Sequence, residues 1–260
     1  MNIIVSIKQV PDTAEVKIDP ETNTLMRESA GTMINPFDEN AVEEGLRLRE
    51  QHGGKVTVIT MGPPQAEKAL RDALAMGADE AVLITDMAFA IADTLATSYT
   101  LSRAIQKLGD FDLVLCGKQA FDGDTAQVGP GLAEHLGIPQ ITYAIEVTVE
   151  GKRLRARRLL DNAFEVLETR LPALLTVVKQ INEPRLPRLK NVLAARKKQI
   201  TVWGSQDLDV DLDRCGFRGS PTEVIETYVP TREHEGEMLE GDAQTVATDL
   251  VARLRQGQVI

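Results

Sequence analysis

Four times in succession the first half of the chain passes from a short apolar run into a helical pattern. That order calls for parallel strands joined by right-handed crossovers, with helices on both faces. The runs are Ile3 to Ile7, Val56 to Thr60, Ala81 to Ile84 and Phe111 to Cys116. Asn35-Pro36 opens the first helix, Asn as a cap and Pro as a favoured first residue, and Ala41, Val42, Leu46 and Leu48 give its apolar face. Gly53-Gly54 ends it. Gly62-Pro63-Pro64 turns the chain into a second helix with Ala66, Ala69, Leu70, Ala73 and Leu74 on one side, closed by Gly77. Asp93 or Thr94 caps a third, closed by Gly109, and a fourth begins at about Thr125. The long polar excursion between the first strand and the first helix holds a candidate hairpin at Pro20 to Asn23.

After Pro139 the pattern changes. Ile141 to Val149, Leu154 to Leu159, Phe164 to Thr169 and Ala173 to Val178 read as strands joined by turns, an antiparallel extension of the same sheet. From Ile181 the chain reads as loop and short helix. A last amphipathic helix follows from about Asp242 to Gln256, and its stripe of Val246, Leu250 and Leu254 suits a partner surface. The expected fold is α/β, a doubly wound, mostly parallel sheet with an antiparallel extension and a C-terminal helical arm. The expected division is a nucleotide-binding domain over 1–225, with a recognition loop at 182–198, and an arm over 226–260.

The 260 residues are 43% hydrophobic and 26% charged, enough for one sizeable core. A net charge of −10 argues against nucleic-acid binding, whose affinity comes from neutralising phosphates. The two cysteines, Cys116 and Cys215, lie far apart and in no paired motif, so thiolates build neither a zinc site nor an iron–sulfur cluster. Apolar sequence starts at Asn2 without a leader pattern, and no run approaches the roughly 20 apolar residues of a membrane span, so a cytoplasmic protein without membrane insertion is expected.

The stretch from Phe111 to Pro130, FDLVLCGKQAFDGDTAQVGP, is a strand, a loop rich in glycine and acids, and a helix start. Ligands of parallel sheets sit beyond the carboxyl ends of the strands, and helix N-termini attract phosphates. Neither G-x-G-x-x-G nor a P-loop is present; Gly117, Gly123 and Gly129 enclose Asp122, Asp124, Thr125 and Gln127. A sharp turn with a capping residue and a nucleotide site fit this loop equally well. Thr94 and Thr97, one turn apart at another helix start, fit either capping or phosphate binding. His52, His135 and His234 are dispersed, and no triad, acid–base pair or metal spacing emerges, so no catalytic residue is assigned. Arg185, Arg188, Lys190, Arg196, Lys197 and Lys198, interrupted by Leu186, Leu189, Val192 and Leu193, suit a solvated face or a docking loop with an apolar anchor.

Several longer stretches together resemble the β subunit of electron-transfer flavoprotein along essentially the whole chain. They are VSIKQVPD at Val5 to Asp12, NPFDENAVEEGLRL at Asn35 to Leu48, MGPPQAEKALRDALAMGADE at Met61 to Glu80, GKQAFDGDTAQVGP at Gly117 to Pro130, and LPALLTVVKQINEPRLPRLKNVLAARKK at Leu171 to Lys198. The resemblance implies a nucleotide pocket lined by Ser6, Asn35, Met61 and the loop Ala120, Phe121, Asp122, Gly123, Asp124, Thr125, Ala126, Gln127 and Val128. The adenine would lie near Ser6 and Met61, and the phosphates on the N–H groups from Gly123 to Val128. It implies a heterodimer with an α subunit that holds one FAD. Leu189, flanked by Arg188 and Lys190, would anchor partner dehydrogenases, and the final helix would form the arm on the α subunit.

Two kinds of β pocket occur in that family. One holds AMP as a structural ligand; the other, in the electron-bifurcating group, holds a second FAD that takes a hydride from NADH. Asp122-Gly123-Asp124-Thr125 and ADTLATSY at Ala92 to Tyr99, with Thr94 and Thr97, resemble the second group. Gly123 removes a side chain and a charge where a diphosphate must approach. Expected partners are then the α subunit, an acyl-CoA-type or related dehydrogenase, and ferredoxin or flavodoxin. The alternatives are a conventional carrier subunit with structural AMP and no NADH oxidation, and a stand-alone nucleotide sensor.

Overall fold

The computed structural model describes residues 1–12, 31–225 and 236–260. The candidate hairpin at Pro20 to Asn23 and His234 lie outside the described residues. In chain order the elements are β1 (Asn2–Ser6), β2 (Gln9–Pro11), β3 (Thr32–Ile34), α1 (Pro36–His52), β4 (Lys55–Met61), α2 (Glu67–Met76), β5 (Glu80–Ile84) and α3 (Thr94–Leu108). Then come β6 (Leu113–Gly117), α4 (Val128–Leu136), β7 (Gln140–Glu150), β8 (Arg153–Leu159), β9 (Phe164–Arg170), β10 (Ala173–Val177), α5 (Leu189–Lys197), β11 (Thr201–Trp203) and α6 (Ala243–Gln256).

Nine strands form one sheet in the order β11-β5-β4-β1-β6-β10-β7-β8-β9, and β2 and β3 make a separate antiparallel pair. Pairing is parallel from β11 through β7 and antiparallel only at β7-β8-β9. Side chains of a strand alternate between faces. Ile3 and Val5 therefore join one core with Val42, Leu46, Leu70 and Leu113, under α1 and α2, while Ile4 joins the other with Ile59, Ile105, Val114 and Leu132, under α3 and α4. With both faces covered, β6 is buried throughout, which explains its unbroken apolar run. From β1 the chain moves outward through β4 and β5, then returns to place β6 on the other side of β1, so the strand order reverses between β1 and β6.

The α/β class and mostly parallel sheet agree with the sequence pattern, and four details differ. The run Ala173 to Val178 is no part of the antiparallel extension: β10 lies between β6 and β7, parallel to both. Its residues are all buried, as a central strand requires. The extension is the β7-β8-β9 ribbon alone, where β7 bends at a register shift between Ala144 and Glu146 next to Tyr143, whose φ is 61°. A parallel edge strand, β11, occurs where only loop and helix were expected. The fourth helix starts at Val128 rather than Thr125, because Asp124 and Ala126 hold φ values of 49° and 54° that no right-handed helix accommodates.

The chain divides into two compact units, Met1–Glu223 and Val224–Ile260. Within the second, Asp242 caps α6 by accepting from Thr245 N, and Arg253 bridges Asp249 and Glu237. Among the described residues no helix is long and apolar enough to cross a membrane.

Candidate functional site

In doubly wound sheets ligands bind where the strand order reverses, beyond the carboxyl ends. Here that point lies between β1, which ends at Ser6, and β6, which ends at Gly117. The chain following Gly117 is tied down at its start and free at its end. Asn35 stands at the head of α1, yet its side chain caps nothing. Fully buried, it instead donates to Gln119 O at 2.8 Å and accepts from Phe121 N at 3.1 Å. Lys8 Nζ reaches both oxygens of Asp122, at 2.7 and 2.8 Å, and Gln119 bonds Asp124.

Beyond Asp124 the restraint stops. Among the described residues, nothing accepts from the N–H groups of Thr125, Ala126, Gln127, Val128 and Gly129. Left-handed Ala126 is followed by right-handed Gln127 (φ −100°, ψ −24°), the alternation that turns successive N–H groups into one concave, anion-binding surface. The surface runs straight into the N-terminus of α4, where the helix dipole adds partial positive charge. Strain at two non-glycine residues in a strand-end loop marks a segment shaped for binding.

The N-terminus of α3 is different. Asp93 Oδ1 accepts from Leu95 N and Ala96 N at 2.9 and 3.0 Å, so the donors expected beside Thr94 and Thr97 are already taken. Although desolvation opposes it, hydrogen bonds from Ala96, Thr222 and Leu95 hold the Asp93 carboxyl below its ordinary value. Thr94 and Thr97 contribute only their half-buried hydroxyls, which make no hydrogen bond among the described residues. The two helix starts lie side by side: a Cβ on Gly131 in α4 would stand 2.7 Å from Ser98 Oγ in α3. Glycine is required again at Gly117, where a Cβ would sit 2.3 Å from Asp38 Oδ1, and at Gly129, where it would sit 2.5 Å from Thr176 Cγ2. Gly123 meets nothing within 4 Å and needs no special φ, so its missing side chain leaves open space rather than relieving strain.

Sequence reasoning missed Asp38. Its carboxyl accepts from Lys8 N at 2.7 Å and Gly117 N at 3.0 Å, joining the ends of β1 and β6 to α1. Burial pushes this carboxyl up to about 7 against those hydrogen bonds. A second omission is the cationic ledge of Lys118 and Arg158, 5.1 and 5.9 Å from the Tyr143 ring. Tyr143 N donates to Thr176 Oγ1, which ties the ledge to Gly129 and α4, and Arg158 Nε is buried without a partner among the described residues. No sequence signal marks either feature, because each depends on strands far apart in the chain.

Ser6 is buried at the end of β1, and Met61 half-buried at the end of β4, the next strand, so both stand at the same sheet edge as the loop. Leu189 and Arg188 lie elsewhere, at the start of α5; Leu189 is 75% exposed and Leu186 89%. Val192 and Ala195 turn inward, which separates the packing face of α5 from its exposed face. His52 and His135 stand at helix C-termini. The thiols of Cys116 and Cys215 are buried and raised, chiefly by desolvation.

Residues 22–208 match the family model described as the electron transfer flavoprotein domain. The chain is 53% identical to electron transfer flavoprotein subunit beta of Thermoanaerobacterium thermosaccharolyticum, with 100% of both chains covered. It is 45% identical to the caffeyl-CoA reductase-Etf complex subunit CarD of Acetobacterium woodii, again over 100% of both. It is also 45% identical to protein FixA of Azorhizobium caulinodans, over 99% of this chain and 95% of that one. With a domain match over more than half its length and end-to-end likeness to named β subunits, the chain belongs to the electron transfer flavoprotein family as a β subunit, whose partner is an α subunit.

Proposed function

We propose that this β subunit is of the electron-bifurcating kind, with an FAD of its own in the pocket between β1 and β6. The observation that carries the proposal is the row of N–H groups from Thr125 to Gly129 that find no acceptor among the described residues, curved at Ala126 and backed by the dipole of α4. These donors suit phosphate oxygens, and the open space at Gly123 favours a diphosphate over a single phosphate. Ser6 and Met61 would flank the adenine, Asn35 would keep the loop in register, and the Thr94 and Thr97 hydroxyls would add donors from α3. Arg158 Nε offers a further buried donor beside Tyr143. When bound, the flavin supplies the redox chemistry: it takes a hydride from NADH and divides the electrons between a low-potential acceptor such as ferredoxin or flavodoxin and the α-subunit FAD. The chain's own residues bind, orient and desolvate; none need act as acid or base.

Leu189, with Arg188 and Lys190, is proposed as the anchor for an acyl-CoA-type dehydrogenase, and residues 226–260 as the arm on the α subunit. The exposed leucines among cations support the first. One relative's name places it in a complex with a caffeyl-CoA reductase, which fits a dehydrogenase partner of this chemical class. The test is to purify the heterodimer, release its nucleotides by denaturation, count them, and add NADH to the intact complex. Two FAD per heterodimer and bleaching by NADH are expected. One FAD with one AMP and no response to NADH would overturn the assignment.

A further inference from the structure

Of the buried polar groups on α1, Asp38 ties the strand ends beside the nucleotide pocket, whereas three others have no role there. Asn40, Glu43 and Glu44 are all buried, an expensive arrangement unless each is paired. Most of the pairing comes from one segment, residues 182–185, with Lys179 O accepting a longer bond from Asn40 Nδ2 at 3.5 Å. Asn40 Nδ2 donates to Asn182 O at 2.8 Å and to Asn182 Oδ1 at 3.0 Å; Asn182 Nδ2 donates to Asn40 O and to Glu44 Oε2, both at 3.0 Å. Glu43 accepts from Arg185 N at 3.1 Å, from Arg185 Nε at 2.8 Å and from Arg185 Nη2 at 3.1 Å. Glu50 takes the rest of the guanidinium, with Nη1 at 2.5 Å and Nη2 at 3.1 Å, and Arg47 holds Glu43 from the other side at 2.8 Å.

The segment so held leads directly to Leu186, Arg188 and Leu189. Apolar packing does little to hold it there, because both leucines point outward and a groove of about 1040 Å³ opens between the segment and the ends of α1 and α2. We infer that Asn40, Glu43, Glu44 and Glu50 form a polar seat on α1, with Arg185 as its latch, that positions the docking leucines for the partner dehydrogenase. The inference rests on the docking role given above to Leu189. Glu43 meets the guanidinium as a carboxylate: although burial opposes ionisation, hydrogen bonds from Arg185 and Arg47 hold its carboxyl below the ordinary value. Arg185 is a positioning residue, since it need not touch the partner.

The test uses the heterodimer carrying Arg185→Ala, Arg185→Lys, Glu50→Gln or Leu189→Ala. Amide hydrogen exchange is followed at residues 183–193, nucleotide content is counted, and KM and kcat are measured for electron transfer to a purified acyl-CoA dehydrogenase. With Arg185→Ala, exchange at 183–193 should rise at least about tenfold. If the segment is then competent about a tenth of the time, KM for the dehydrogenase rises about tenfold, with kcat and nucleotide content unchanged. Arg185→Lys, whose single ammonium cannot span two carboxylates, should fall between. If Arg185→Ala fails to fold, Glu50→Gln, which removes only the outer carboxylate, should show the same changes at smaller size. Unchanged exchange, or faster exchange with unchanged KM, overturns the seat. A KM raised by Leu189→Ala but by none of the seat variants overturns the seat alone. A KM unmoved by Leu189→Ala overturns the docking role, and the seat with it.

Discussion

Gly131→Ala should damage the pocket without touching any residue proposed to line it. An added Cβ would lie 2.7 Å from Ser98 Oγ and 3.1 Å from Ser98 Cβ, where ordinary contact is ~3.5 Å. Either α3 and α4 separate by about 0.8 Å or Ser98 leaves its rotamer, where its hydroxyl donates to Leu95 O at 3.0 Å. Overpacking of this kind costs about 1–3 kcal/mol. For a domain of this size that lowers the melting temperature by about 2–12 °C. The free donors at Val128 and Gly129 sit on the turn that is displaced, so retained FAD should fall as well. Adding Ser98→Ala deletes the 2.7 Å contact and leaves only the 3.1 Å one, a deficit of about 0.4 Å, so the double variant should recover more than half of both losses. Thermal unfolding of the heterodimer and FAD released per mole test this directly. A Gly131→Ala protein that melts with the wild type, or a double variant no better than the single, would show that the two helix starts are not in contact as described.

Three further outcomes are expected. The Asp38 carboxyl, raised by burial from 3.8 to about 7, binds its proton more tightly folded than unfolded. Its contribution is therefore full below pH ~4 and is lost as pH rises through 7, a change of about 4 kcal/mol. Asp38→Asn should lack this fall; a wild-type-minus-variant difference in urea unfolding that is constant from pH 4 to 8 would refute it. Gly123→Asp meets open space, so apo stability should stay within ~0.5 kcal/mol while FAD retention drops; equal flavin content would remove this loop from the pocket. Cys116 and Cys215, buried and with raised thiol values, should resist a thiol reagent in the native protein and both react after denaturation; fast native labelling would contradict the packing around them.

The parallel core was legible because each of its strands announces itself twice, as an apolar run and as the prelude to a helix. β10 escaped that logic. It follows a hairpin in sequence, and only the complete burial of Ala173–Val177 in space reveals a central strand. β11 pairs along three residues at an edge, too short for any periodic signal. In the pocket, the loop after β6 could be found from its position in the pattern, but the contrast between a free α4 terminus and an α3 terminus filled by Asp93 depends on side-chain direction. Asp38 was hidden for the same reason: in Asn-Pro-x-Asp it reads as part of a helix start, while in space it binds the end of β6, 79 residues away. Asn35 was named by resemblance, but its grip on Gln119 and Phe121 was not.

Helix α1 is held at two places, its head and the turns that follow, by unrelated parts of the chain. Asn35 and Asp38 grip the strand ends and the loop after β6, and Asn40, Glu43 and Glu44 grip residues 182–185. Successive residues of a helix are rotated by about 100° and displaced by about 1.5 Å. One residue deleted between Asp38 and Asn40 would leave the first set in place and swing the second a quarter-turn away from its partners. The helix thus acts as a gauge of fixed length. The spacing within NPFDENAVEE can change only if the contacts to the loop after β6 and to residues 182–185 are refitted together.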